Sequence, residues 1–427
     1  MKRKAMIRLA APLLVVALLG AACGSDDDGG TTASGSDTTS GSQTEPAVAT
    51  STTGASELRA GLSGLLTEHV YLAALATGAA LRGDAKGFEA NAAALNGPTN
   101  SNTADLTKAI GSAYGDDVGK AFDGLWRSNG HIPAFVAYTQ AVAKEDAAGK
   151  QKAVADLTAY ATTVGTTLNS VNENLPADAV TKMITSHATT LITVIDAQKA
   201  GDQPKVYSSL RAAYHHMDEM ATVLASATAK KFPLKFTGDA ESPAAGLRAG
   251  MTSLLREHVF LAASATGAAL GGRMPQFEAA AAALNGPSNS NTADIVAAVT
   301  SVYGDEVGKA FDGLWRSNGH IPAVVTYTQA LAKNDKAGAD KAVADLLAYA
   351  KTFGTTMNSV NENLPADAVT KAIEMHATTL KAVIDAQKAG DPTKTATLLR
   401  EAVHHMSGTA DVLAEATVKK FPEKFKA

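Results

Sequence analysis

The chain of 427 residues holds one cysteine, Cys23. No disulfide can form within it, and thiolate metal sites are excluded. Aromatic residues make up only 5%, so a core must be packed mainly from small and branched aliphatic side chains. Alternating β-branched runs are absent, which argues against sandwiches and barrels. The chain has no phosphate loop and no nucleophile elbow. It also lacks the Cys-x-x-Cys-His of covalent haem attachment. The Glu-x-x-His pairs that di-iron bundles require do not recur in its two halves. No motif of an enzyme class is left, and the chain is read as non-catalytic.

What is present begins with an export signal. Met1-Lys2-Arg3-Lys4 and Arg8 form a basic segment, and residues 9–22 are an apolar run too short for a stable span. Leu19-Gly20-Ala21-Ala22-Cys23 resembles a bacterial lipobox, with Leu one place further from Cys than usual. Residues 1–22 are therefore expected to be a signal peptide and Cys23 the site of lipidation. Residues 23–56 are rich in Ser, Thr, Gly and Asp and are expected to be a disordered tether. Cleavage before Cys23 removes four basic residues and no acidic ones, taking the net charge from −4 to −8. That surface gives no reason to expect nucleic acid as a partner. The expected partner is the membrane, reached through the lipid, and the expected location is extracytoplasmic.

The ten histidines form two sets of five related by an offset of 189 residues. His69, His131, His187, His215 and His216 become His258, His320, His376, His404 and His405. Residues 57–236 and 246–425 align at this offset without a gap, joined by a linker at 237–245. A period this long means duplicated domains rather than a solenoid. Repeat 1 is placed at 57–236 and repeat 2 at 246–427. Within repeat 1, helices are predicted near 57–82, 86–95, 102–114, 116–146, 148–172, 176–199 and 203–230. Short connections between long helices predict an all-α protein of two tandem up-down antiparallel bundles.

The histidines fall near the middles of four predicted helices, hence at one level of a bundle. His69 shares a stripe with Leu62, Leu65, Leu72 and Ala76, and His187 with Val180, Ile184, Leu191 and Val194. Of each adjacent pair, His216 and His405 share a face with core residues and are preferred over His215 and His404. Glu68 precedes His69, but neighbouring helical residues point about 100° apart. Glu68 and Glu257 are therefore expected at the surface or behind the ligands. Asn129, on the Leu125–Ile132 stripe, is read as a helix-packing polar residue or a support for the site. Buried imidazoles need partners. One reading supplies a metal ion bound by His69, His131, His187 and His216, and by His258, His320, His376 and His405. Further candidate ligands are His215, Met217, His404 and Met406. Imidazole and thioether without thiolate suit copper, with zinc or nickel next; a bis-His haem is a further possibility. The other reading is a structural layer, with each ring satisfied by Tyr71, Tyr138, Tyr160, Tyr214, backbone or water. A shared ion requires ring nitrogens within about 4–5 Å of one another.

One set of residues resembles a helical module of secreted Gram-positive proteins, some of them described as related to the copper amine oxidase N-terminal domain. These are Arg59, Glu68-His69-Val70, Tyr114-Gly115, His131-Ile132, His187, His216-Met217 and Phe232-Pro233…Phe236, with their copies. The resemblance spans both units and none of the tether. It implies an extracytoplasmic location and copper by association, and it implies no activity.

Overall fold

Ala- and Leu-rich segments become helices where a cap starts them. Thr53, Asp84, Ser101, Asp146 and Asp202 each accept a backbone N–H of the following turn. A computed structural model describes residues 49–127, 130–316 and 319–426. In repeat 1 the helices are α1 (Gly54–Leu81), α2 (Ala85–Asn96), α3 (Asn102–Tyr114) and α4 (Asp116–Arg127), then α5 (His131–Ala143), α6 (Ala147–Val171), α7 (Ala177–Ala200) and α8 (Gln203–Lys231). Repeat 2 follows with α9 (Pro243–Leu270), α10 (Met274–Asn285), α11 (Asn291–Tyr303) and α12 (Asp305–Arg316). It is completed by α13 (His320–Lys333), α14 (Lys336–Val360), α15 (Ala366–Lys388) and α16 (Pro392–Lys420). No strand occurs among the described residues, and the all-α expectation holds.

In each repeat the long helices pack in sequence. In the first, α5 lies against α6, α6 against α7, α7 against α8 and α8 against α1. α5 also reaches α1 and α7, and this closes the ring around the histidines. α2 covers the outer side of α1, and α3 pairs with α4.

Two expectations need correction. The helix predicted over 116–146 is two helices, α4 and α5, with Gly130 between them in extended backbone. Gly130 lies so close to the carbonyls of Leu125 and Trp126 that a Cβ there would sit 2.4 and 2.6 Å from them. Pro133 then falls in the first turn of α5, where its missing N–H has no intrahelical acceptor to lose. Second, the folded part starts before residue 57. Ser51 is fully buried, and its N–H and hydroxyl both donate to Glu415. The 237–245 linker is held in place. Ala240 is buried and its carbonyl accepts from Arg59, and Ser242 caps α9, which already starts at Pro243. Residues 1–48, with Cys23 and most of the tether, lie outside the described residues, as do Ser128, Asn129 and their copies.

The two repeats share one hydrophobic core. α1 packs along α9, α2 on α16 and α10 on α8. Tyr71 stacks on Phe260 with ring centres 4.6 Å apart, and these two positions are themselves 189 residues apart. The contacts come in mirrored pairs, as they do in a two-fold dimer. α1 and α9 are buried on nearly every side, so neither shows a polar face. α1 is also the one described helix long and apolar enough to cross a membrane, but 78% of its apolar stretch is buried in the protein.

Glu68 and Glu257 are at this junction, not at the surface. Both are fully buried. Glu68 accepts from Arg400 at 2.6 Å, Arg256 at 2.9 Å and His404 at 2.9 Å. Glu257 accepts from Arg211 at 3.1 Å and from Asn291 at 2.9 Å. The 100° rule did turn Glu68 away from its neighbour's face, but the space it entered belongs to the other repeat.

Candidate metal centre

Three histidines of each repeat converge. α1 supplies His69 from its buried middle, α7 supplies His187, and the kink before α5 delivers His131 as that helix's first residue. All three are buried, and one ring nitrogen of each lies within 4.8 Å of the other two. His258, His320 and His376 do the same in repeat 2. Ring centres are 5.3, 5.7 and 6.1 Å apart in the first triad and 5.2, 5.7 and 6.0 Å in the second. Two buried histidine triads could therefore hold a metal ion.

The hydrogen bonding of these rings is incomplete. Nε2 of His69 and Nε2 of His131 are 3.3 Å apart, and the matching pair in repeat 2 is 3.2 Å apart. One mutual hydrogen bond would satisfy a single nitrogen on each ring. Nδ1 of both remains without a partner, and His187 has neither nitrogen satisfied. None of the four tyrosines considered as partners bonds a triad ring. Tyr138 donates to Asp196 and Tyr214 to the Ser253 carbonyl, while the Tyr71 and Tyr160 hydroxyls are themselves unpartnered. Buried polar atoms of this kind cost stability unless something binds them.

Electrostatics keeps the rings neutral. Burial lowers His69 to about 4, against weaker opposing effects of Asn102 and Glu68. Burial, with repulsion from His69 and His216, lowers His187 to about 3. His131 lies well below its ordinary value for the same reasons, burial first and then His69 and His187. The second triad behaves alike, with His258 at about 4 and His376 at about 3. Neutral imidazoles carry free lone pairs, the form that binds metals.

Aromatic side chains fix the rings in place. Trp126 meets His69 and His131 edge-on, at 5.2 and 4.5 Å, and Tyr160 stacks on His131 at 5.0 Å. Asn102 faces His69, yet its Oδ1 and His69 Nδ1 both lack a partner within bonding distance. A small approach would make that bond and leave Nε2 for a ligand role. Asn102 sits in the first turn of α3 and its Nδ2 donates to the Leu65 carbonyl. In the sequence Asn102 only opens the helix predicted over 102–114; its closeness to His69, and that of Asn291 to His258, depends on how α3 and α11 fold back.

The fourth expected ligand does not join. His216 Nε2 donates to the Met183 carbonyl at 3.0 Å, and His405 does the same to Ala372 at 3.1 Å. α8 turns these rings toward α7's backbone, so the shared face with core residues did not make them ligands. His215 is exposed and His404 binds Glu68 across the junction. In Glu401–His404, the chain's lone Glu-x-x-His, the histidine faces the repeat junction and the glutamate is exposed. Met217 and Met406 are buried core residues of α8 and α16. A haem does not fit between His69 and His131, because 3.3 Å between their Nε2 atoms leaves no room for a macrocycle.

No protein family, no curated protein and no solved structure matches this chain.

Proposed function

We propose that the chain is an extracytoplasmic lipoprotein, held to the membrane through Cys23, in which each repeat binds one metal ion through its histidine triad. Copper is the best fit. Its role is sequestration, buffering or handover outside the membrane. The observation that carries this reading is His187. Both its ring nitrogens are buried and unpartnered beside a pair of Nε2 atoms 3.3 Å apart. Two nitrogens bound to one tetrahedral ion at about 2.0–2.1 Å lie about 3.3–3.4 Å apart. A hydrogen-bonded layer would explain that pair but would leave His187 with nothing.

The choice of copper rests on the donor set. Only histidines form the clusters among the described residues. An all-imidazole site without thiolate or carboxylate suits copper and zinc, and copper binds more tightly at nitrogen sites in general. Three protein ligands leave a coordination position open. The basic and apolar segment ending at Cys23 supports the anchored location.

The test is metal content. Purified full-length chain is expected to hold two equivalents of copper after dialysis. His187→Ala should remove one equivalent, His376→Ala the other, and the double variant both. Absence of bound copper and zinc in the parent chain would sink the reading.

A further inference from the structure

Beside each triad lies a cavity that metal binding alone does not require. In repeat 1 it occupies about 300 Å³ between α1, α2 and α5, and His69 forms part of its wall. In repeat 2 it occupies about 440 Å³, and both His258 and His320 reach it. The remaining wall is almost wholly aliphatic and aromatic, with Phe88 and Phe277 at matching places. No charged side chain lines either cavity. Its threonines are already engaged: Thr77 donates to Gln198 and Thr139 to the Phe135 carbonyl, with the same bonds made by Thr266 and Thr328. The other polar side chains on the walls are Asn96 and Gln140 in repeat 1 and Asn285 and Gln329 in repeat 2, and both glutamines are exposed, which leaves the triad as the buried polar feature.

The two cavities differ at one informative position. Phe135 of repeat 1 packs within 6.0 Å of the His131 ring and 6.2 Å of the His187 ring. Its counterpart is Val324, a smaller side chain on the wall of the larger cavity. The aromatic cover over the first triad is thus missing from the second.

We propose that each cavity is a ligand chamber for its triad's metal, taking a small, uncharged, largely apolar molecule that presents one donor atom to the ion. The proposal rests on the metal-binding reading and assigns that site a ligand class. Pockets of this size and lining are typical of small-molecule sites, and the open coordination position supplies the polar anchor. The chamber of repeat 2 is the roomier and binds such a molecule more tightly.

Full-length chain loaded with two equivalents of Cu²⁺ is titrated with imidazole and, separately, with 4-phenylimidazole, following the visible copper band. The probes share a donor and differ by one apolar ring. The phenyl compound is expected to bind at least tenfold tighter. Val324→Phe should weaken it at least fivefold at the second site, and Phe135→Val should tighten it at the first, with copper held at two equivalents in both. Equal affinity of the two probes, or a phenyl preference unmoved by both substitutions, overturns the proposal. Chain that fails to hold copper before any probe is added overturns the metal reading instead, and the chamber's ligand class with it.

Discussion

The two repeats carry the same triad but not the same surroundings. Ring-centre distances in the two triads agree to within 0.1 Å. Trp126 and Tyr160 have counterparts in Trp315 and Tyr349, placed alike. At the junction the copies diverge. Thr67 of repeat 1 bonds its own helix at the Ser63 carbonyl, while Arg256 at the matching place reaches across to Glu68. Ser407 accepts a second bond from Arg256 at 3.0 Å, where repeat 1 has Asp218 bonded to Ser63. Glu68 is therefore met by two arginines and a histidine, and Glu257 by one arginine and an asparagine. The triad tolerates little change because three rings must meet at one point. The junction needs only that each buried charge be matched, and different residues can do that.

The largest expected effect separates the two glutamates. Glu68→Ala leaves the buried Arg256 with only the Ser407 hydroxyl, while Arg400 keeps Asp105, and should cost about 3–5 kcal/mol. Glu257→Ala takes a partner only from Arg211, which keeps Asp294 as Arg400 keeps Asp105, and should cost measurably less. Urea unfolding of both variants checks this, and equal losses would break the claimed asymmetry. Next is Arg256→Thr, which makes the two repeats alike at this position. It removes one charged hydrogen bond from Glu68 but leaves Arg400 and His404, so about 1.5–3 kcal/mol should be lost.

Acid should remove two contributions to stability over overlapping pH ranges. The triad histidines have lowered values in the folded chain, so it binds fewer protons than the unfolded chain below pH 6.5. Metal-free chain is then fully stable above that pH and loses stability as pH falls through about 4 to about 3. The carboxyl of Glu68 is held at about 2 by His404, Arg256 and Arg400 against the cost of burial. Its contribution is present above about 4.5 and lost as pH falls to about 2. Melting temperature against pH should show the first loss shrink in His187→Ala/His376→Ala, with the part due to His69 and His258 left, and the second disappear in Glu68→Gln. A first loss undiminished in the histidine double variant would contradict the assignment. The smallest effect is expected at Asn102→Ala, which should weaken copper binding about 10-fold at the first site through loss of ring orientation. Asn291→Ala should do the same at the second, as read by competition titration.

Much of this could be read from the sequence where signals are local. The helices predicted over 102–114 and 176–199 end at Tyr114 and Ala200, before Gly115 and Gly201, and the Ala- and Leu-rich stripes put His69 and His187 inside. The break before α5 was also written locally, in Gly130 and Pro133, but the hydrophobic period continued across it and concealed it. That break makes His131 a helix-start residue rather than a mid-helix one, and still it reaches the same point as the others. Contacts between repeats were not legible, because Glu68 meets Arg400 across 332 positions. Nor was the direction of His216, which depends on where the Met183 carbonyl of a neighbouring helix falls.

The central claim is that three imidazoles of each repeat bind one ion. X-ray absorption on the copper-loaded full-length chain tests it most directly. The expected result is a first shell of three imidazole nitrogens at about 2.0 Å per copper, unchanged in His216→Ala/His405→Ala. A first shell of solvent or carboxylate oxygens, or a shell that loses a nitrogen in that double variant, would contradict it.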